Sequence, residues 1–165
     1  MIRLLLIVTV LLCAGPAFSQ LSDGEGHAVN ISGKQFSCYL PKYFEIQEEP
    51  PGVIHKASGT FVIVVKMPSQ QRMTAQSGLS RSFFEDPRYE IVNFREEQAV
   101  RRQSHATTDK TYWMEYTLQG HSFERYTTLK IHGHDQYLII GNYPVVLKDQ
   151  VLEEVKKIMD SFVIH

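Results

Sequence analysis

The chain has 165 residues, 43% of them hydrophobic and 11% aromatic, and 17 basic against 18 acidic side chains give it a formal charge of −1. That balance excludes the broad positive field on which general attraction to nucleic acid or anionic lipid depends, so no nucleic-acid partner is expected. With only Cys13 and Cys38 present, a disulfide-rich scaffold is excluded as well.

Residues 1–19 have the pattern of a cleavable secretory signal. Arg3 precedes two apolar runs, residues 4–8 and 10–14, and Ala17 and Ser19 stand at the minus three and minus one positions, which places the cut before Gln20. The apolar stretch is too short to cross a hydrocarbon core of about 30 Å as a helix, so no membrane insertion of the mature chain is expected. Leu12 before Cys13 argues against lipidation. The expected address is secreted or periplasmic. Cys13 leaves with the signal, and Cys38, inside an apolar strand pattern, is then expected to be a buried structural thiol, with an intermolecular bridge and a nucleophile as lesser readings.

Residues 20–34 are polar and contain Gly24, Gly26 and Gly33, which predicts a flexible N-terminal segment ahead of a single domain over residues 35–165. The first strand is predicted over residues 35–40, ending at Pro41. A short element follows at residues 43–47, then an acidic turn over residues 48–52 in which prolines stop pairing. Residues 60–67 are apolar on both faces, the pattern of a central strand covered on both sides.

A helix is predicted over residues 69–85 from Met73, Leu79, Phe83 and Phe84, with Gly78 interrupting the stripe and Asp86-Pro87 at its exit. Strands are predicted over residues 89–95 and, more polar, 98–107. The next two form a meander. Residues 111–118 put Tyr112, Met114, Tyr116 and Leu118 on one face and Trp113, Glu115 and Thr117 on the other; after a turn at residues 119–121, Phe123, Arg125, Thr127 and Leu129 alternate with Glu124, Tyr126, Thr128 and Lys130. Residues 137–141 make a further strand, beyond which Asn142-Tyr143-Pro144 leads away from the sheet. The terminal helix, residues 147–162, carries Val151, Leu152, Val155, Ile158, Met159 and Phe162 at intervals of three and four. Glu153 and Lys157 on its outer face form an expected i,i+4 pair.

This order of elements resembles the PsbP and Mog1-like fold family over about residues 35–163, carried by Phe36-Ser37-Cys38-Tyr39-Leu40-Pro41, the apolar strand, the middle helix, the meander and the terminal helix ending in Asp160-Ser161-Phe162. The resemblance implies an α+β fold: an antiparallel sheet flanked by helices in an α/β/α sandwich. Members of that family act mainly as binding or assembly modules, plant members supporting the oxygen-evolving apparatus and a nuclear member binding a small GTPase. Neither role carries over, because the secretory signal argues against a nuclear site and no residue set marks the photosynthetic one.

For chemistry, the sequence offers no nucleophile elbow, no phosphate loop and no His-Glu-x-x-His helix, so no catalytic residue and no cofactor is assigned. His121, His134 and Asp135 are weak metal candidates. The intervening strand spans about 30 Å, which favours an ordinary polar hairpin over a metal centre. Trp113, Glu115 and Arg125 are the candidate ligand or partner residues, on a mixed aromatic and polar strand surface. Arg81, Arg88, Arg95, Arg101 and Arg102 read as a solvated edge, interrupted by Glu96 and Glu97. The expected function is a secreted, non-enzymatic binding or assembly module recognising an extracytoplasmic protein or a small amphipathic ligand. A small secreted metal-dependent hydrolase is the alternative. No feature of the chain sets an oligomeric state.

Overall fold

The computed structural model describes residues 26–68, 78–97 and 109–165. Its strands are β1 (His27–Ile31), β2 (Phe36–Leu40), β3 (Glu45–Glu48), β4 (Pro51–His55), β5 (Thr60–Lys66), β6 (Glu90–Glu97), β7 (Lys110–Leu118), β8 (His121–His132), β9 (Asp135–Pro144) and β10 (Val163–Ile164), and its helix is α1 (Lys148–Ser161). The large sheet runs β3-β4-β5-β9-β8-β7-β6 and the small one β1-β2-β10, with every pair antiparallel. The fold is mixed α+β.

Strand β5 sits inside the large sheet for the reason its composition gives. Val62 and Val64 point into one apolar layer and Phe61 and Ile63 into the other, so neither face can be left to water. The β7–β8 hairpin closes through Gln119 and Gly120, both at positive φ (52° and 80°), the twist-matched two-residue turn. Gly133, at φ 59°, opens the β8–β9 turn. Strand β9 continues through Pro144, beyond the predicted 137–141, because Asn142 and Tyr143 still pair with Arg125 and Glu124.

Helix α1 packs chiefly on β9, β2 and β5, burying Val151, Val155, Ile158 and Met159. Gly141 on β9 makes that approach possible: a Cβ there would lie 2.6 Å from both Met159 Sδ and Val155 Cγ1. On the outer face Glu153 pairs with Lys156 at 3.7 Å, while Lys157 instead stacks 4.1 Å over the Tyr39 ring. The expected Glu153–Lys157 pair gives way to an aromatic surface that β2 supplies.

Three further expectations change. Part of the segment predicted as flexible is strand β1: His27 to Ile31 pair with Leu40 to Phe36, Val29 and Ile31 pack into the core, and Ile31 is 1% exposed. The proline-rich turn also opens β4, because Pro51 stands at the strand's first residue, where its missing N–H matters least. In the described part of the predicted helix, Gly78 takes φ 62° and Arg81–Phe84 forms one 3-10 turn, with Phe84 buried and Leu79 N–H donating to Tyr112 Oη at 2.9 Å. Residues 69–77 of that helix, the strand at 98–107 and the signal at 1–19 lie outside the described residues.

Strand β6 carries an irregularity between Ile91 and Asn93. The bulge resets the alternation, so Ile91 and Phe94 pack on the same side, against Tyr116 and Met114, and Val92 is left 47% exposed. Strict alternation along a strand would put Ile91 and Phe94, three positions apart, on opposite faces.

Candidate functional site

The alternation of β8 sends two neighbouring charged residues to opposite faces of the large sheet. Glu124 turns toward the α1 side, beside Tyr126, and is 4% exposed. Its Oε2 accepts from Trp113 Nε1 at 3.2 Å and Tyr143 Oη at 2.6 Å, and its Oε1 accepts from Lys148 Nζ at 2.7 Å. Burial pushes this carboxyl's pKa upward, but the bonds from Lys148, Tyr143 and Trp113 together outweigh it and hold the pKa below the usual carboxylate value. The Tyr143 hydroxyl moves the other way, raised by burial and then by its bond to Glu124. Glu124 is thus an ionised, fully engaged anchor.

The same face continues past the helix across β7 and β6. There the exposed Arg95 places its guanidinium carbon 4.1 Å above the Trp113 ring, Asn93 Nδ2 donates to Glu115 Oε2 at 2.8 Å, and Arg95 Nη2 donates to Glu97 Oε1 at 3.1 Å. Trp113 itself is only 9% exposed, its indole N–H turned inward to Glu124 and its ring covered by Arg95. The accessible surface is therefore Asn93, Arg95 and the half-buried Glu97 and Glu115, laid over an aromatic floor.

Arg125 does not join this surface. It pairs with Met114 and Asn142 and faces the opposite apolar layer, half-buried, so the predicted grouping of Trp113, Glu115 and Arg125 is divided by the sheet. The register supplies the reason: Trp113 lies across from Tyr126 and Glu115 across from Glu124, which commits the residue between them to the other side. Arg125 Nη2 donates to Tyr116 Oη at 3.2 Å and Nε to Asn142 Oδ1 at 3.3 Å, and its guanidinium lies 4.9 Å from the Tyr116 ring and 5.7 Å from the Tyr89 ring.

His121 and His134 stand at opposite ends of the β8 hairpin system. His121 opens the strand opposite Leu118, and Asp135 pairs with His132 at its far end, about 35 Å away at the rise of a strand. Asp135 Oδ2 accepts from Lys66 Nζ at 2.6 Å. Among the described residues no group of three His, Cys, Asp or Glu side chains converges as a metal site.

Asn93, Glu124, Tyr143 and Lys148 on one face, and Asn142 on the other, did not stand out from the sequence, because their contacts join elements distant along the chain. Parity offered one clue: Glu124 alternates with Tyr126 on a strand whose two faces are both apolar. A separate open groove of about 400 Å³ lies between the sheets, lined by Phe36, Val64, Lys66, Tyr137 and His165, among others.

No protein-family model and no curated protein matches the chain. Among solved structures, the solution structure of cyanobacterial PsbP (CyanoP) from Synechocystis sp. PCC 6803 is similar at 11% identity and a TM-score of 0.50, over 94% of this chain and 99% of that one. The crystal structure of the Saccharomyces cerevisiae Ran-binding protein Mog1p is similar at 9% identity and a TM-score of 0.51, over 86% of this chain and 96% of that one. At these identities the likeness is one of fold, and the chain has a PsbP-like and Mog1-like architecture.

Proposed function

We propose that the chain is a secreted or periplasmic, non-catalytic binding or assembly module that recognises a protein or a small amphipathic ligand through the β6–β7 face beyond α1. The observation that carries this reading is the Arg95 guanidinium stacked on Trp113 outside the helix footprint, flanked by Glu115 and Glu97. Arg and Trp are enriched where binding energy concentrates, and the stack on Trp113 already orients the Arg95 guanidinium. Charges of both signs around an aromatic floor suit an amphipathic partner with its own alternating charges. The binding and assembly role is also the one in keeping with the fold, and the Mog1 relative is itself named for binding Ran.

The test is affinity capture from the native extracytoplasmic fraction with wild type, Arg95→Ala and Glu115→Lys, together with N-terminal sequencing of the exported chain. A captured species lost from both variants, and a mature terminus at Gln20, are expected. Equal capture by all three proteins would overturn the surface, and an uncleaved cytoplasmic chain would overturn the address.

A further inference from the structure

We infer that Arg125, on the sheet face opposite the β6–β7 surface, is the anion-recognition group of a second site that takes a planar carboxylate. The guanidinium has five N–H donors in a fixed fork, yet its hydrogen bonds go to neutral groups: Tyr116 and Asn142 at the long distances of 3.2 and 3.3 Å, and the Tyr89 hydroxyl beside them. Tyr116 in turn gives its own proton to Asn142 Oδ1 at 2.7 Å, so that oxygen is shared between two donors. Among the described residues, no carboxylate lies within ion-pair distance of Arg125. Asp86, whose charge does reach Arg125, is already held by Arg88, with Nε at 2.8 Å from Oδ1 and Nη2 at 2.6 Å from Oδ2.

A half-buried cation with no carboxylate in direct contact is unusual, because partial desolvation weakens its hydration while the more distant Asp86, engaged by Arg88, compensates it only in part. What holds it here is aromatic. Tyr89 and Tyr116 pack against each other with centroids 4.7 Å apart, Tyr116 stacks on Phe123 at 5.4 Å, and Arg125 lies against the first two rings. Position is held from both sides, since β8 runs between β7 and β9 and Asn142 is 1% exposed. The result is a pre-oriented fork in an aromatic setting, which matches the two coplanar oxygens of a carboxylate better than a point charge would. The carboxylate can belong to a free organic acid or to an acidic side chain of a peptide. The site stands independently of the β6–β7 surface.

The experiment follows the Arg125 side-chain N–H resonance of the full folded chain during titration with benzoate, benzamide, inorganic phosphate, and a capped peptide carrying a single Asp or, in its control, Asn. A saturable shift with benzoate or the Asp peptide, absent with benzamide and the Asn peptide, is the expected result. The tighter of the two identifies the source of the carboxylate. Arg125→Lys, which keeps the charge and loses the fork, is expected to weaken binding about tenfold or more while the backbone spectrum stays that of the native fold. If Arg125→Met also folds, it is expected to show no saturable shift. No saturable carboxylate shift, equal response to the neutral controls, phosphate binding as tightly as carboxylate, or unchanged affinity in Arg125→Lys would each overturn the assignment.

Discussion

Lys148 begins α1, and its ammonium reaches across to Glu124 on β8 at 2.7 Å, so one ion pair ties the start of the helix to the middle of the sheet. The partners differ in setting: the Glu124 side chain is 6% exposed and that of Lys148 is 41% exposed. Removing the carboxylate lets Lys148 turn to water but leaves the Tyr143 hydroxyl and the Trp113 N–H without their acceptor. Glu124→Ala is expected to cost about 2–3 kcal/mol, and Lys148→Ala less, measured by urea denaturation at pH 7. Equal losses would mean that the ion pair, and not the buried hydrogen bonds, dominates.

The same carboxylate gives stability a pH dependence. Its folded pKa lies below the ordinary value, so its contribution is complete above the unfolded carboxylate range near about 4.3 and is lost as pH falls through the lower folded value. Glu124→Gln is therefore expected to lose less stability than wild type on acidification from pH 5 to pH 3. Urea midpoints across that interval check it, and parallel curves for the two proteins would contradict it.

Apolar docking should outweigh surface charge on α1. Val155 and Ile158 are both fully buried, whereas the Glu153 side chain is 86% exposed and makes only a loose contact with Lys156. Ile158→Ala is expected to cost about 2–5 kcal/mol and Glu153→Ala at most about 0.5 kcal/mol, read from chemical denaturation midpoints. Similar shifts for both would show that the helix is not held by its buried stripe.

Gly141→Ala should push α1 off the sheet. The added methyl meets Met159 and Val155, and an overpacked contact of this kind costs about 1–3 kcal/mol. Because the obstruction is steric, Val155→Ala in the same chain is expected to recover part of the loss, so that the double variant is more stable than the sum of the two single changes predicts. Strict additivity would argue that the glycine serves the backbone alone.

Cys38 is 2% exposed, and burial pushes its thiol pKa up to about 12. In a Cys13→Ser background a disulfide reagent at pH 8 is expected to label Cys38 only at the rate of unfolding, with labelling becoming rapid in urea. Fast labelling of the native protein would reveal an exposed thiol.

The parts legible in the sequence were those written in local periodicity. Residues 60–67 declared a two-sided strand, the 111–131 meander declared its faces, and the spacing of Val151, Val155 and Ile158 declared the buried stripe of α1. Long-range register was not legible. Nothing local says that Trp113 lies across from Tyr126, and that pairing separates Arg125 from the aromatic surface. Strand β1 escaped notice because its five residues hold only Val29 and Ile31 as core contacts among polar neighbours, and the prolines before β4 masked its start. The bulge in β6 defeated simple alternation for the same reason: one extra residue leaves no compositional mark.

The adjacency of Glu124 and Arg125 gives β8 a safeguard against misalignment. A slip by a single position would drive an arginine beneath the helix, next to Lys148, and set a carboxylate among the tyrosine rings on the reverse side, stranding both charges at once. Electrostatic exclusion thus guards the pairing that apolar alternation proposes, most strongly on a strand both of whose sides carry large aromatic rings that would otherwise tolerate exchange.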